Sequence, residues 1–533
     1  MNAIGNLEFI FLLLLLFVAV FGLLARRIGT PYPIVMVVGG FLISLVPGIP
    51  KITLNPDIIF LVVLPPLLYA AAWTTSWRDF RYNLISIFLL AFGLVAFTVA
   101  VVAAVAPRIF DGFDWRLGFV LGAVVAPTDA IAATSIARRV GLPRRLVDIL
   151  EGESLINDAT GLLALQFGTA MVVESRVPSV MNASFTLVWL TGGGIALGLL
   201  VGWVVDRIER QIDDAAIEIT LSILVPYAAY LTAEEVHASG VLAVVACGLF
   251  LARRSVRFFS PSVRIQIWSV WQSLNFVLNG FVFVLIGLQL PGIRASIRGY
   301  RPSALFLDSA AFTLMLIVVR LMWVYPGATL AWVLRTRALH QHETRPSLRK
   351  VFVLGWTGMR GVVSLAAALA LPASLPGGSA FPQRNVIVFV TFSVIFATLV
   401  LQGATLPPLI RALGLAGTAG PNCEELEARR LVLEAAVAHL RDARARDAGW
   451  ADVYSDLIQH YEQRLATVAH GPDGGHDAMK HNRYVELSLE ALRVERRAAI
   501  ALRDEGRISD EVLRRIEREL DLAETRLDTA AEA

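Results

Sequence analysis

The chain is poor in charge. Asp, Glu, Lys and Arg make up 17% of its 533 residues, where a soluble domain carries roughly 25%. With 56% hydrophobic residues and a mean hydropathy of +0.63, it holds more apolar surface than a core can hide, and the natural solvent for most of it is lipid. Cysteine is scarce as well. Cys247 lies in an apolar run and Cys423 in a charged region, which speaks against a disulfide framework and a cysteine-based metal centre. Zinc-protease histidine spacing is missing: the dense stretch His340-Gln341-His342-Glu343 lies in a basic loop and reads as solvated. No basic stripe with interleaved aromatics points to nucleic acid, and no filter-like repeat points to an ion channel. Residues 9–25 lack the basic flank and small-residue cleavage site of a signal peptide, so they read as a first membrane helix.

What charge there is divides unevenly. Residues 1–420 hold 30 Lys+Arg and 20 Asp+Glu, and residues 421–533 hold 17 and 24. An apolar, net basic membrane domain (1–412) is thus followed by a water-soluble, net acidic tail (413–533). A span needs roughly 20 mostly apolar residues. Thirteen candidates follow, at 7–25, 31–48, 56–74, 83–106, 117–137, 146–173, 184–205, 215–233, 237–252, 268–290, 304–334, 350–372 and 385–412. With the N-terminus outside, the inward loops carry 19 basic residues and the outward loops 8. That is the bias of the positive-inside rule, and it puts the tail in the cytoplasm. The tail itself reads as helical over 424–448 and 483–527, with 471–477 between them. The fold class is all-α and polytopic.

Ionisable residues inside membrane helices are functional hypotheses by default. The fifth segment reads Ala126-Pro127-Thr128-Asp129-Ala130, the long sixth contains Glu151, Glu153, Ser154, Asn157 and Asp158, and the twelfth has Arg360 at its centre. Ser154 and Asp158, four apart, stack on one face of the sixth helix, with Gly161 a turn further; Glu153 and Asn157 form a second row. Two acids at one depth, Asp129 and Asp158, attract a proton or a cation. Glu153 and Arg360 are expected to form a structural ion pair, since opposite charges in low dielectric need partners. Arg320, at similar depth in the eleventh segment, reads as structural or pore-lining, and Asn275 and Asn279 as interhelical packing groups. Pro127 interrupts the fifth segment, and Gly355, Gly358 and Gly361 weaken the twelfth. These two segments are the fifth of each half if spans 1–6 and 8–13 form inverted six-helix repeats, the arrangement that marks a transporter site.

The run Glu151-Gly152-Glu153-Ser154-Leu155-Ile156-Asn157-Asp158-Ala159-Thr160-Gly161 resembles the signature of the cation:proton antiporter-1 family. Ala126-Pro127-Thr128-Asp129-Ala130, Gly358-Met359-Arg360-Gly361 and Leu64-Pro65-Pro66-Leu67-Leu68 are similar to its other marks. The resemblance implies a homodimer of the cell membrane that exchanges sodium, sometimes potassium or lithium, for protons by alternating access, without a cofactor. Carried over, it implies Asp158 as the main ion and proton carboxylate, Thr128, Asp129 and Ser154 as helpers in holding the alkali cation, and Asn157 where electrogenic relatives are associated with a second Asp. Many members have an acid after the third-span motif; in this chain the sequence is Tyr69-Ala70-Ala71. One carboxylate neutralised by either a proton or a cation gives obligatory exchange, which is electroneutral if Asp158 alone changes state and Asp129 stays fixed, the alternative being that the two acids titrate as a coupled pair. A potassium-preferring antiporter, a cation channel and a pH or ion sensor are the alternatives.

Overall fold

In the computed structural model, all residues are described except 1–2, 47–55, 175–179, 213, 298–301, 339, 341–343, 377, 418–422, 447, 471–474, 506 and 532–533. The chain divides into two compact units, Met1–Ala419 and Gly420–Ala533.

The first unit is helical throughout its described length apart from loops and one isolated bridge, Ser374 to Ala380. Its helices are α1 (Ala3–Ile28), α2 (Tyr32–Ser44), α3 (Pro56–Thr74), α4 (Trp77–Ile109), the broken pair α5a (Trp115–Val125) and α5b (Ala130–Val140), and α6 (Arg144–Val173). There follow α7 (Val180–Glu209), α8 (Ala215–Glu235), α9 (Gly240–Phe258), α10 (Pro261–Leu288) with a short helix after it (Leu290–Ser296), and α11 (Pro302–Ala338), then the broken pair α12a (Leu348–Trp356) and α12b (Val362–Leu369), and α13 (Arg384–Ala412). Each expected segment therefore coincides with a helix or helix pair. Among the described residues, ten helical segments are long and apolar enough to cross a membrane. The 13-residue α2 is too short for that test.

Helix contacts in lipid depend on small residues and satisfied backbone. Gly198 of α7 lies so close to the Ala243 backbone of α9 that any Cβ would collide with it. Three wide helical turns among the described residues, at Ile59–Val63, Leu89–Leu94 and Thr398–Gln402, are met by groups from other segments. The Tyr227 hydroxyl donates to the Val62 carbonyl at 2.9 Å, the Trp323 indole N–H to the Leu89 carbonyl at 3.0 Å, and the Thr398 hydroxyl accepts from the Arg360 amide at 3.2 Å. Large apolar side chains such as Met181, Phe185 and Phe306 point outward, as a lipid-facing surface requires.

Among its described residues the second unit has four α-helices, α14 (Cys423–Arg446), α15 (Ala451–His470), α16 (Gly475–Asp504) and α17 (Asp510–Ala531), and a 3-10 turn at Ala448–Trp450. Arg441 of α14 pairs with Glu462 of α15 at 2.6 Å, and Arg496 of α16 with Asp521 and Glu524 of α17 at 2.8 and 2.6 Å. The structure corrects the expectation of two helical stretches. It adds α15, a helix outside both of them. It also cuts the stretch 483–527 at Arg507–Ser509, where the Ser509 hydroxyl caps α17 by accepting the Val512 amide at 3.3 Å. Of the expected separator 471–477, residues 471–474 lie outside the described residues and the rest begin α16.

Candidate ion site

The two broken segments meet at their breaks. Pro127 has no amide to continue α5a. After Val125 the chain unwinds until Asp129 starts α5b, and after Trp356 it unwinds again until Gly361 starts α12b. The Asp129 amide donates to the Met359 carbonyl at 2.7 Å, so one break is tied to the other through the backbone.

Each break leaves a helix C-terminus, with partial negative charge, and a helix N-terminus, with partial positive charge. Arg360 serves the C-termini. Its guanidinium donates to the Val125 carbonyl at the end of α5a (3.1 Å) and to the Gly358 carbonyl just past α12a (2.5 Å). Asp129 serves the N-termini. Its carboxylate accepts the Ile131 amide of α5b at 2.8 Å and lies against Gly361 at the start of α12b. A Cβ at position 361 would sit 2.6 Å from the Asp129 Cβ and 2.7 Å from its carboxyl carbon, so that position admits only glycine without displacing the acid.

The sixth segment, α6, packs across this crossing with both of its expected polar rows. In the first row, Ser154 accepts the Ala130 amide at 3.2 Å. Asp158 follows one turn on, and Gly161 after it lies against Pro127. In the second row, the Asn157 amide group donates to the Thr128 hydroxyl at 2.8 Å and to the Thr128 carbonyl at 3.4 Å, and the Thr128 hydroxyl donates to Glu153 at 3.0 Å.

The expected Glu153–Arg360 pair is not formed. Glu153 takes Arg320 of α11 in a two-pronged ion pair at 2.5 and 2.9 Å, and Arg320 also donates to the Leu354 carbonyl at 3.2 Å. Two physical reasons account for the exchange of partners. Arg360 is already engaged with helix-end carbonyls. Arg320 can reach Glu153 because its chain passes over bare Gly358, where a Cβ would lie 3.0 Å from its Nε.

Asp158, Asp129, Thr128 and Ser154 all line one cavity of ≈ 380 Å³; Asn157 and Glu153 do not, and stand behind it holding Thr128. Ala70 and Ala71, where many resembling sequences have an acid, also face the cavity, as does Leu64 of the third-span motif. Residues that sequence reasoning did not assign to the site join them: Tyr32, Asn275, Asn279 and Ser364. Arg138 and Glu151 line it too, paired at 2.6 Å with the Arg138 side chain 64% exposed.

Asp158 is 8% exposed, and no hydrogen-bond donor among the described residues reaches its carboxylate. The Asn275 Oδ1 and Ser364 Oγ atoms in the same cavity also lack partners among the described residues. Asp129 lines the same cavity as Asp158. A buried carboxylate with a like charge beside it and no donor is strongly disfavoured as a bare anion. Uncompensated oxygens of carboxylate, amide and hydroxyl are the ligand set of a hard cation.

The family model described as "Sodium/hydrogen exchanger, transmembrane" matches residues 12–412. The chain belongs to the sodium/hydrogen exchanger family. It is 35% identical over 523 residues to an uncharacterised Na+/H+ exchanger of Mycobacterium tuberculosis, covering 96% of this chain and 94% of that one. It is 33% identical over 454 residues to a sodium, potassium, lithium and rubidium/H+ antiporter of Bacillus pumilus, covering 83% and 66%. The structure of the sodium proton antiporter MjNhaP1 from Methanocaldococcus jannaschii superposes with a TM-score of 0.61 at 19% identity, covering 76% of this chain and all of the other; that likeness concerns the fold. The family match, 12–412, spans every residue at the crossing.

Proposed function

We propose that the chain is a secondary antiporter exchanging sodium for protons across the cell membrane by alternating access, with potassium and lithium as further substrates. The observation that carries this is Asp158: a buried carboxylate without a donor, in a cavity shared with Asp129 and with unpartnered oxygen atoms. Either a proton or an alkali cation neutralises it, and the two exclude one another. Asp129, Thr128 and Ser154 help hold the cation, with Asn157 orienting Thr128 from behind. The bare, charged site is costly to carry through a low-dielectric barrier, so the protein crosses between its two open states only when loaded, and transport becomes exchange. The relatives named for sodium, potassium, lithium and rubidium support the choice of cation.

The same reading has thirteen crossings in two inverted halves, the N-terminus outside and the tail in the cytoplasm, and a second copy of the chain as partner. The loop bias in Lys and Arg supports the orientation. The cavity then opens to the cytoplasm, because Arg138 stands in the last turn of α5b, at its inward end.

Everted membrane vesicles test the proposal. Sodium should collapse an imposed pH gradient, more acidic medium should raise the sodium concentration required, and Asp158→Asn should abolish the response at normal protein level. Exchange retained by a well-expressed Asp158→Asn protein overturns the site assignment. Sodium flux that needs no counter-ion overturns antiport in favour of a channel.

A further inference from the structure

The helices of the membrane unit fall into two groups. α1–α3 pack with α7–α10, and α4–α6 with α11–α13, while contacts across the seam between the groups are sparse. Glycine draws helices together inside each group. Gly40 of α2 lies against the Val284 carbonyl of α10. A Cβ on Gly118 or Gly122 of α5a would sit 2.9 Å from the Ala103 or Val99 Cα of α4. Among the described residues, no glycine of one group presses on the backbone of the other. Side chains close the seam instead: Phe41 of α2 meets Phe396 of α13, with ring centres 5.2 Å apart, and Ile34 of α2 covers Gly403 of α13. Helices joined backbone to backbone move as one body, and a side-chain seam is where two such bodies shift against each other.

The ion cavity lies on this seam. Asp158, Asp129, Thr128, Ser154 and Ser364 line it from the second group, and Tyr32 of α2 with Asn275 and Asn279 of α10 line it from the first. The two asparagines are four residues apart and share one face of α10. Two buried oxygen atoms without partners among the described residues therefore stand on opposite sides of the seam. Ser364 Oγ is on α12b, in the group that holds Asp158, and Asn275 Oδ1 is on α10, in the other. An unsatisfied buried oxygen is costly, and a cation in the cavity relieves both. Alternating access has to turn Asp158 from one membrane face to the other. If the seam is what gives, Ser364 travels with Asp158 and Asn275 does not.

We propose that Asn275 is a cation ligand of the cytoplasm-facing state alone, whereas Ser364 holds the cation in both states. The inference rests on the antiport reading above and adds to it a difference between the two faces. An ion entering from the cytoplasm meets the Asn275 oxygen; once the seam has shifted, that oxygen is left behind. Affinity at the cytoplasmic face therefore contains a contribution that affinity at the external face lacks. By detailed balance, the same factor biases the loaded protein toward its cytoplasm-facing state.

Sided vesicles separate the two contributions. The half-saturating sodium concentration for uptake of radioactive sodium, driven by a fixed pH gradient, is measured in everted vesicles, which present the cytoplasmic face, and in right-side-out vesicles, which present the external face. Asn275→Ala should raise it about fivefold in everted vesicles, for the loss of one ligand oxygen, and leave it within about twofold in right-side-out vesicles. Ser364→Ala should raise it in both. The external value of the Asn275→Ala protein is its own check on folding. Asn275→Asp, of nearly the same size, carries the test where the alanine variant does not accumulate: at alkaline pH its added charge should lower the everted value and leave the right-side-out value in place. For Asn275, a change at both faces, at neither, or at the external face alone overturns the proposal, and so does a one-sided response of Ser364→Ala. Native protein that exchanges at neither face overturns the antiport reading itself; native exchange with a symmetrical Asn275 response overturns only the face-specific ligand.

Discussion

Glu153→Gln and Arg320→Gln distinguish the observed clamp from the Glu153–Arg360 pair that charge and depth alone imply. Both members are about 1% exposed, and their two hydrogen bonds measure 2.5 and 2.9 Å. Neutralising one leaves the other buried without its counter-charge, which costs about 3–5 kcal/mol. Neutralising both removes the stranded charge, so the double variant should recover a large part of that loss, giving a coupling free energy of about 2–3 kcal/mol. Purified protein is unfolded in mixed micelles by raising the denaturing detergent, and unfolding free energies are collected for both single variants, the double variant and the native chain. A second cycle, Glu153→Gln with Arg360→Gln, serves as the reference. The Arg360 guanidinium bonds go to the Val125 and Gly358 carbonyls, so its coupling to Glu153 should stay below about 1 kcal/mol. A larger coupling in the Arg360 cycle than in the Arg320 cycle refutes the assignment.

Two further predictions concern the groups around the crossing. Gly361→Ala must push the Asp129 carboxylate out of place, since the added Cβ would lie 2.6 Å from the Asp129 Cβ; the sodium concentration for half-maximal exchange in vesicles should rise at least about tenfold, and an unchanged value refutes the close approach. Asn157→Asp replaces a donor with an acceptor next to Thr128, whose single hydroxyl proton is already donated to Glu153. The variant should unfold about 1–3 kcal/mol more easily in the same micelle titration, and undiminished stability refutes the donor role of Asn157 toward Thr128.

Much of this arrangement was legible in the sequence because membrane helices make depth readable. Counting residues along each span puts Asp129, Asp158, Glu153, Arg320 and Arg360 at neighbouring levels, and the four-residue spacing of Ser154 and Asp158 puts them on one face. Pro127, Gly358 and Gly361 mark the breaks. Lateral position is another matter. Which arginine faces Glu153 depends on how α11 crosses bare Gly358, and no residue count along one helix contains that. Asn275, Asn279 and Ser364 were equally hidden, because a single polar side chain in an apolar helix looks the same whether it braces a neighbour or lines a cavity.

The partner exchange matters for stoichiometry. Arg360 is committed to two helix C-termini, Asp129 to a helix N-terminus, and Glu153 and Arg320 to each other. Each of these charged groups has a protein partner at the crossing. Asp158 is what remains: among the described residues at the crossing, it is the buried ionisable side chain with no donor and no opposite charge. With Arg360 on Glu153, as charge and depth alone imply, the C-termini of α5a and α12a would have lost their cation, and a second uncompensated charge would have entered the balance. With Asp158 alone changing state, the proposed exchange would be one cation for one proton, leaving the loaded site neutral in both directions. That allocation is the physical basis for proposing electroneutral exchange, and it depends on Glu153 having Arg320.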